Sequence, residues 1–235
     1  GGAAKAYMAR DGLFDDVDAA ISWHPSTFNA VQHGHSLANS RIDFTFHGKA
    51  AHAAAAPQLG RSALDACELM NVGVNYLREH MPDSARVHYA YLDAGGVAPN
   101  VVQAKATVRQ LVRAADLDSL RDLVLRVRSI GDGAALMTGT TVETKVYSGV
   151  SNLVGNRPLE ETMQREFEKL GPVPFEADDA SFANDIRKTL TKDDIIASFQ
   201  RIGLETPEDL PLCNFVAPLD RINSGGEGST DVGDV

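Results

Sequence analysis

His52 stands where the stretch Arg41 to Ala66, RIDFTFHGKAAHAAAAPQLGRSALDA, passes from an alternating strand through a glycine turn towards a capped helix. An imidazole at such a junction can point into a cleft and donate a hydrogen bond to developing negative charge. The plain alternative is a solvated or helix-capping histidine. His24 is followed by Pro25, which cannot continue a ladder. It therefore lies at the end of the apolar run Val17 to Trp23, read here as a short strand. Ligands of open α/β sheets gather at the carboxyl ends of strands, so His24 takes a plausible site position, against the alternative of an ordinary surface histidine before a turn. Asn100, in the turn Gly95-Gly96-Val97-Ala98-Pro99-Asn100-Val101, holds an amide that could bind a carboxylate or a carbonyl, or could simply stabilise the turn. Arg113, at the end of a predicted strand, offers the guanidinium fork that a substrate carboxylate needs, against the alternative of plain solvation.

Other chemistries lack their residues. No HExxH helix, Cys/His finger, GxSxG elbow, GxGxxG turn or phosphate loop is present, and Gly225 to Thr230 lacks the lysine that reaches phosphate. His33-Gly34-His35 puts two imidazoles on one strand face without a third ligand nearby and reads as a loop pair. Cys67 falls on the apolar face of a helix and reads as core.

Composition narrows the partners. With 235 residues, of which 43% are hydrophobic and 23% charged, the chain can bury a sizeable core. A net charge of -10 argues against nucleic acid and anionic membranes, and an anionic small substrate would need a local basic pocket. Two cysteines imply no disulfide framework and make a reducing cytoplasm the default. No apolar run approaches the roughly 20 residues of a membrane span. The start at Gly1 without methionine, and the end at Val235 in a Gly/Asp-rich turn, suggest a piece of a larger protein.

The elements that must position these residues follow from periodicity. A helical pattern covers Ala3 to Asp15. Ile42, Phe44 and Phe46 share one strand face, and Ser62 to His80 is a helix with Ala63, Leu64, Cys67, Leu69, Met70, Val74 and Leu77 on its apolar side. Arg86 to Leu92 and Thr107 to Arg113 read as strands, Leu117 to Met137 as a long helix and Thr141 to Tyr147 as a final strand. The order βαββαβ predicts a ferredoxin-like layer of helices on an antiparallel sheet. Helices over Leu159 to Leu170, Ala180 to Leu190 and Asp193 to Ile202 complete an α/β chain.

The opening GGAAKAYMARDGLFDDVDAAISWHP, the segment HGKAAHAAAAPQLGRSALDA, the turn GGVAPNVVQ and the closing GSTDVGDV together resemble the dinuclear-metal amidohydrolases and peptidases that include aminoacylases and carboxypeptidase G. The resemblance covers almost the whole chain. It implies a partial catalytic α/β domain (1–38 and 151–235) carrying two divalent metal ions, zinc or manganese, and an inserted ferredoxin-like lid (39–150) that dimerises. It further implies His24 as a metal ligand, His52 as a lid histidine acting in a partner subunit's site, and Asn100 with Arg113 as binders of the substrate carboxylate. Asp231 to Asp234 matches a loop near the site. The implied reaction is hydrolysis of the amide of an N-acyl amino acid such as p-aminobenzoyl-glutamate, by a homodimer, with or without a second related subunit. The family's glutamate pair, general base and ligand, and its further metal ligands are absent from this sequence, so the isolated chain is expected to be inactive. Two other readings are a non-catalytic ferredoxin-like dimerisation or binding module and a related dipeptidase or acyl-amino-acid hydrolase.

Overall fold

The computed structural model describes residues 3–32, 35–207, 210–221 and 228–235. His33, Gly34 and most of the segment before Gly228 lie outside them, and with them the reading of the His33–His35 pair. Two compact units divide the chain, one of Gly1–Val17, Ser36–Leu153 and Ser229–Val235, the other of Asp18–His35 and Val154–Gly228.

The first unit is built on period-two alternation. In β1 (Ala38–His47), Ile42, Phe44 and Phe46 are fully buried while Arg41, Asp43 and Thr45 alternate onto the other face. β2 (Arg86–Asp93), β3 (Lys105–Ala114) and β4 (Thr141–Val150) complete a four-stranded antiparallel sheet in the order β2-β3-β1-β4. With helices after β1 and β3, this is the predicted βαββαβ arrangement. β1 and β3 pair without a break from Ala38 opposite Ala114 to His47 opposite Lys105.

The chain start forms α1 (Ala4–Arg10), shorter than predicted because Gly12 turns at positive φ. It is pinned to a 3-10 turn at Asp231–Asp234, where the Asp231 carboxylate accepts from the Lys5 amide (3.0 Å) and ammonium (2.8 Å). Burial alone would raise this carboxyl, but the Lys5 bonds outweigh it and hold it below the usual range. Asp234 accepts from the Ser151 amide and hydroxyl, at 3.1 and 2.7 Å.

α2 (Ala63–Leu77) and α3 (Leu117–Thr138) cover the face that carries Phe44. Ser62 caps α2 by accepting from the Asp65 amide at 3.1 Å, and Asp116 caps α3 by accepting from the Ser119 amide at 2.8 Å. Gly131 of α3 packs directly on the sheet, since a Cβ there would lie 3.0 Å from the Phe44 ring. The apolar face of α2 is as expected except at two positions. Leu69 turns outward, and a buried position is taken by Asn71, which bridges Gln110 of β3 (2.9 Å) and the Tyr91 hydroxyl (3.3 Å). Cys67 is fully buried, and burial pushes its thiol up to about 12.

The second unit contains α4 (Arg157–Leu170), α5 (Ala177–Arg187) and α6 (Lys192–Arg201). Its small core sets Phe28 edge-on against Phe199, with ring centroids 4.8 Å apart. The strand predicted over Val17 to Trp23 does not form. A strand needs a neighbour to take its hydrogen bonds, none of the described residues pairs with this run, and Ile21 and Trp23 stand 67% and 84% exposed.

Because Phe44 is buried between the sheet and both helices, Phe44→Ala is expected to cost about 3–5 kcal/mol of stability. Chemical denaturation followed by far-ultraviolet circular dichroism measures it.

Candidate active site residues

His52 lies beyond the Lys105 end of the sheet, and backbone bonds fix the path that takes it there. Gly48 donates to the Ala104 carbonyl at 2.8 Å, and Lys49 and Arg61 exchange backbone bonds at 2.8 and 2.9 Å. Gly48 is required by space: a Cβ there would sit 2.0 Å from the Arg61 carbonyl oxygen. Further on, Val102 donates to Ala51 and Ala53 donates to Asn100, both at 2.9 Å, with His52 bridged to Val101 between them. The turn Gly95 to Asn100 is thereby zipped to the histidine segment. Gly95 takes φ 85°, its amide donating to the Asp93 carboxylate at 2.8 Å.

The His52 ring is oriented by its own turn. Its Nδ1 accepts from the amides of Ala54 (3.3 Å) and Ala55 (3.1 Å). In the neutral ring the proton therefore sits on Nε2, and the residue is exposed, so Nε2–H can donate outward. Asn100 is also exposed, with its backbone carbonyl accepting from Ala53, next to the His52–Val101 bridge.

Arg113 is elsewhere. It lies at the Ala38–Ala114 end of the sheet, opposite Asn39 on β1 and Arg86 on β2. Arg113 is eight positions along β3 from Lys105, about 27 Å at the usual strand rise. Arg113 donates to the Ser229 hydroxyl at 2.9 Å and is half-buried. Burial, and then the neighbouring Arg41, hold its pKa below the ordinary guanidinium value. His88, next along β2, is held low by burial and then by Arg113, Arg78 and Arg86. The fold thus brings His52 and Asn100 together and sets Arg113 at the opposite end of the same sheet.

His24 belongs to the second unit, is exposed, and has Nδ1 2.8 Å from the Pro25 carbonyl. With Nδ1–H donating there, the Nε2 lone pair is free, the tautomer that a metal-ligating histidine uses. A metal centre needs more. Among the described residues, no group of three or more His, Cys, Asp or Glu side chains converges to hold an ion. These residues therefore supply a single candidate ligand and do not by themselves fit a metal pair.

Sequence reasoning missed Gly48, Ser229 and Arg41. Arg41 was visible in principle, because it alternates with Asn39 and Asp43 on the face opposite Phe44.

No family model matches the chain. In fold it is similar to an aminobenzoyl-glutamate utilization protein from Klebsiella pneumoniae (TM-score 0.54, 23% identity, covering 67% of this chain and 41% of that one). Taken with the sequence relatives that follow, the chain belongs to the amidohydrolase/peptidase family. It is 42% identical, over its whole length and 51% of the relative, to one of the subunits of p-aminobenzoyl-glutamate hydrolase from Escherichia coli. It is 31% identical to Xaa-Arg dipeptidase of Mus musculus over 76% of this chain and 41% of the relative. Indole-3-acetyl-aspartic acid hydrolase of Enterobacter agglomerans is 29% identical over 63% of this chain and 35% of the relative. The chain thus spans about half the length, or less, of these curated relatives. No helix among the described residues is long and apolar enough to cross a membrane.

Gly48→Ala is expected to force apart the Lys49–Arg61 exchange, at about 1–3 kcal/mol. Hydrogen exchange should then show faster exchange at the Lys49 and Arg61 amides, while the centre of β1 stays protected.

Proposed function

We propose that the protein to which these residues belong hydrolyses the amide bond of an N-acyl amino acid, with p-aminobenzoyl-glutamate, split into p-aminobenzoate and glutamate, as the leading substrate. The observation that carries this reading is the exposed His52 ring, whose Nδ1 is held as an acceptor by two amides so that Nε2 carries the proton of the neutral ring. A fixed donor of this kind suits the oxyanion that forms when water adds to an amide carbonyl. As the carbon–nitrogen bond then breaks, the nitrogen leaves with a proton, and water supplies the new carboxylate oxygen.

Arg113 and Asn100 are assigned to the substrate carboxylate. The roughly 27 Å of β3 between the two ends of the sheet is longer than a small N-acyl amino acid, so one substrate meets both ends only when they come from different chains. This favours a homodimer joined through the sheet unit, with His52 and Asn100 of one copy acting in the site that holds Arg113 of the other. The Escherichia coli relative is one of the subunits of its hydrolase, which is consistent with a second, related subunit here as well. Residues 39–150 are assigned as the lid and 1–38 with 151–235 as parts of the catalytic domain. The two free thiols agree with a cytoplasmic protein. Zinc or manganese is proposed as the metal of the complete enzyme, with His24 as the ligand that this chain contributes. No step is derived through the metal, since the described residues do not assemble its site.

The test is release of p-aminobenzoate by the full-length protein with added zinc or manganese. His52→Ala is expected to lower kcat about 100- to 1000-fold with little change in KM, and His24→Ala to abolish metal-dependent turnover. Mixed dimers of His52→Ala with Arg113→Ala should regain part of the activity that each variant lacks alone. Wild-type rates in both single histidine variants would sink the assigned roles.

A further inference from the structure

The Ala38–Ala114 end of the sheet carries more positive charge than one carboxylate requires. Arg113 lies opposite Asn39, and Arg41 lies opposite Leu111, so the two arginines are diagonal neighbours on the face away from the helices. β2 adds Arg86 directly beside Arg113 and His88 beside Leu111. The Arg86 guanidinium is turned to the carbonyls of Asp83 and Ala85, which leaves Arg41 and Arg113 as the central pair.

Four described acids of the neighbouring elements have at least one oxygen engaged elsewhere, while Asp234 Oδ2 is buried without a partner. Asp43 of β1 holds Arg109 through two bonds of 2.6 and 2.9 Å, Glu143 of β4 lies by His47, Asp231 holds Lys5 and Asp234 holds Ser151. A chain of net charge -10 thus concentrates cations at one end of one sheet face. Like charges on adjacent strands repel, and an anion entering between them removes that repulsion. Diagonal cross-strand neighbours lie about 7–8 Å apart at Cα, within reach of long side chains, so the pair can grip both carboxylates of one dicarboxylic amino acid.

We propose that Arg41 is a specificity-determining residue that binds the side-chain carboxylate of an acidic N-acyl amino acid, glutamate or aspartate, while Arg113 holds the α-carboxylate. This rests on the reading of Arg113 given above and extends it to the choice of amino acid. The relatives' names divide on this point, specifying glutamate and aspartate in two cases and arginine in the other. A face carrying Arg41, Arg86 and Arg113 repels a cationic arginine side chain and attracts a carboxylate. The Ser229 hydroxyl, which accepts from Arg113, steadies one guanidinium and leaves Arg41 to read the variable side chain.

Two measurements decide it. In the full-length protein, Arg41→Gln should lower kcat/KM for p-aminobenzoyl-glutamate about 10- to 100-fold, the range of a lost charge-assisted bond. The same variant should change p-aminobenzoyl-glutamine less than about twofold if only that contact is lost, and Arg41→Lys should recover part of the loss. In the chain itself, glutarate should shift the NMR signals of the Arg41 and Arg113 side chains, and Arg41→Gln with an unchanged melting temperature should weaken glutarate more than butyrate. Equal losses for the glutamate and glutamine substrates, or glutarate binding that is absent or indifferent to Arg41→Gln, would overturn the proposal. Hydrolysis with an unchanged substrate ratio in the variant would remove this inference alone. An Arg41-dependent glutarate site in a protein that hydrolyses no N-acyl amino acid would remove the proposed reaction and leave the site.

Discussion

The uninterrupted antiparallel register of β1 with β3 is the constraint on which the rest of the first unit depends. From Ala38 opposite Ala114 to His47 opposite Lys105, it decides which side chains meet the helices and which face away. A slip of one residue would bring Arg41 and Asp43 under α2 and α3 and expel Phe44, exchanging a buried aromatic for unpaired charge. The close seating of Gly131 on the Phe44 ring makes such a slip costly in packing as well. Charge and shape therefore select the same register.

That register also defines two chemically different ends. At the Lys105 end, β1 runs out through Gly48, and the segment carrying His52 is zipped to the turn that carries Asn100. Both residues are exposed and presented by short backbone bonds rather than by a packed core, which suits groups that meet a ligand from outside. At the other end Arg113, Arg41 and His88 crowd together beside Ser229, with positive charge that the nearby described acids do not neutralise. His52 with Asn100, and Arg41 with Arg113, thus lie at opposite ends of one sheet, and under the roles proposed for them one substrate meets both only between two copies.

Much of this was legible in the sequence. The period-two run Ile42, Phe44, Phe46, the capped helix after Ser62, the Gly95-Gly96 turn and the order βαββαβ are local signals, and each appears where periodicity places it. Where reading failed, the deciding partner lay far along the chain. Val17 to Trp23 has the composition of a strand but finds no neighbour among the described residues. Asn71 replaces Leu69 at a buried position because Gln110 and Tyr91, 39 and 20 residues away, bond its amide group. Gly48 reads as a simple turn glycine until the Arg61 carbonyl is seen to occupy the space of its Cβ.

By itself the sequence determined the elements, their order and the residue types able to do chemistry, because hydrophobic period, caps and turn residues act over a few positions. Only the tertiary structure decided which nitrogen of His52 carries the proton, that Asn100 joins it while Arg113 does not, and that Arg41 stands beside Arg113. The first follows from the fold of its own turn, whose Ala54 and Ala55 amides meet Nδ1, and the others from backbone pairings and a strand register set by packing of the sheet against its helices.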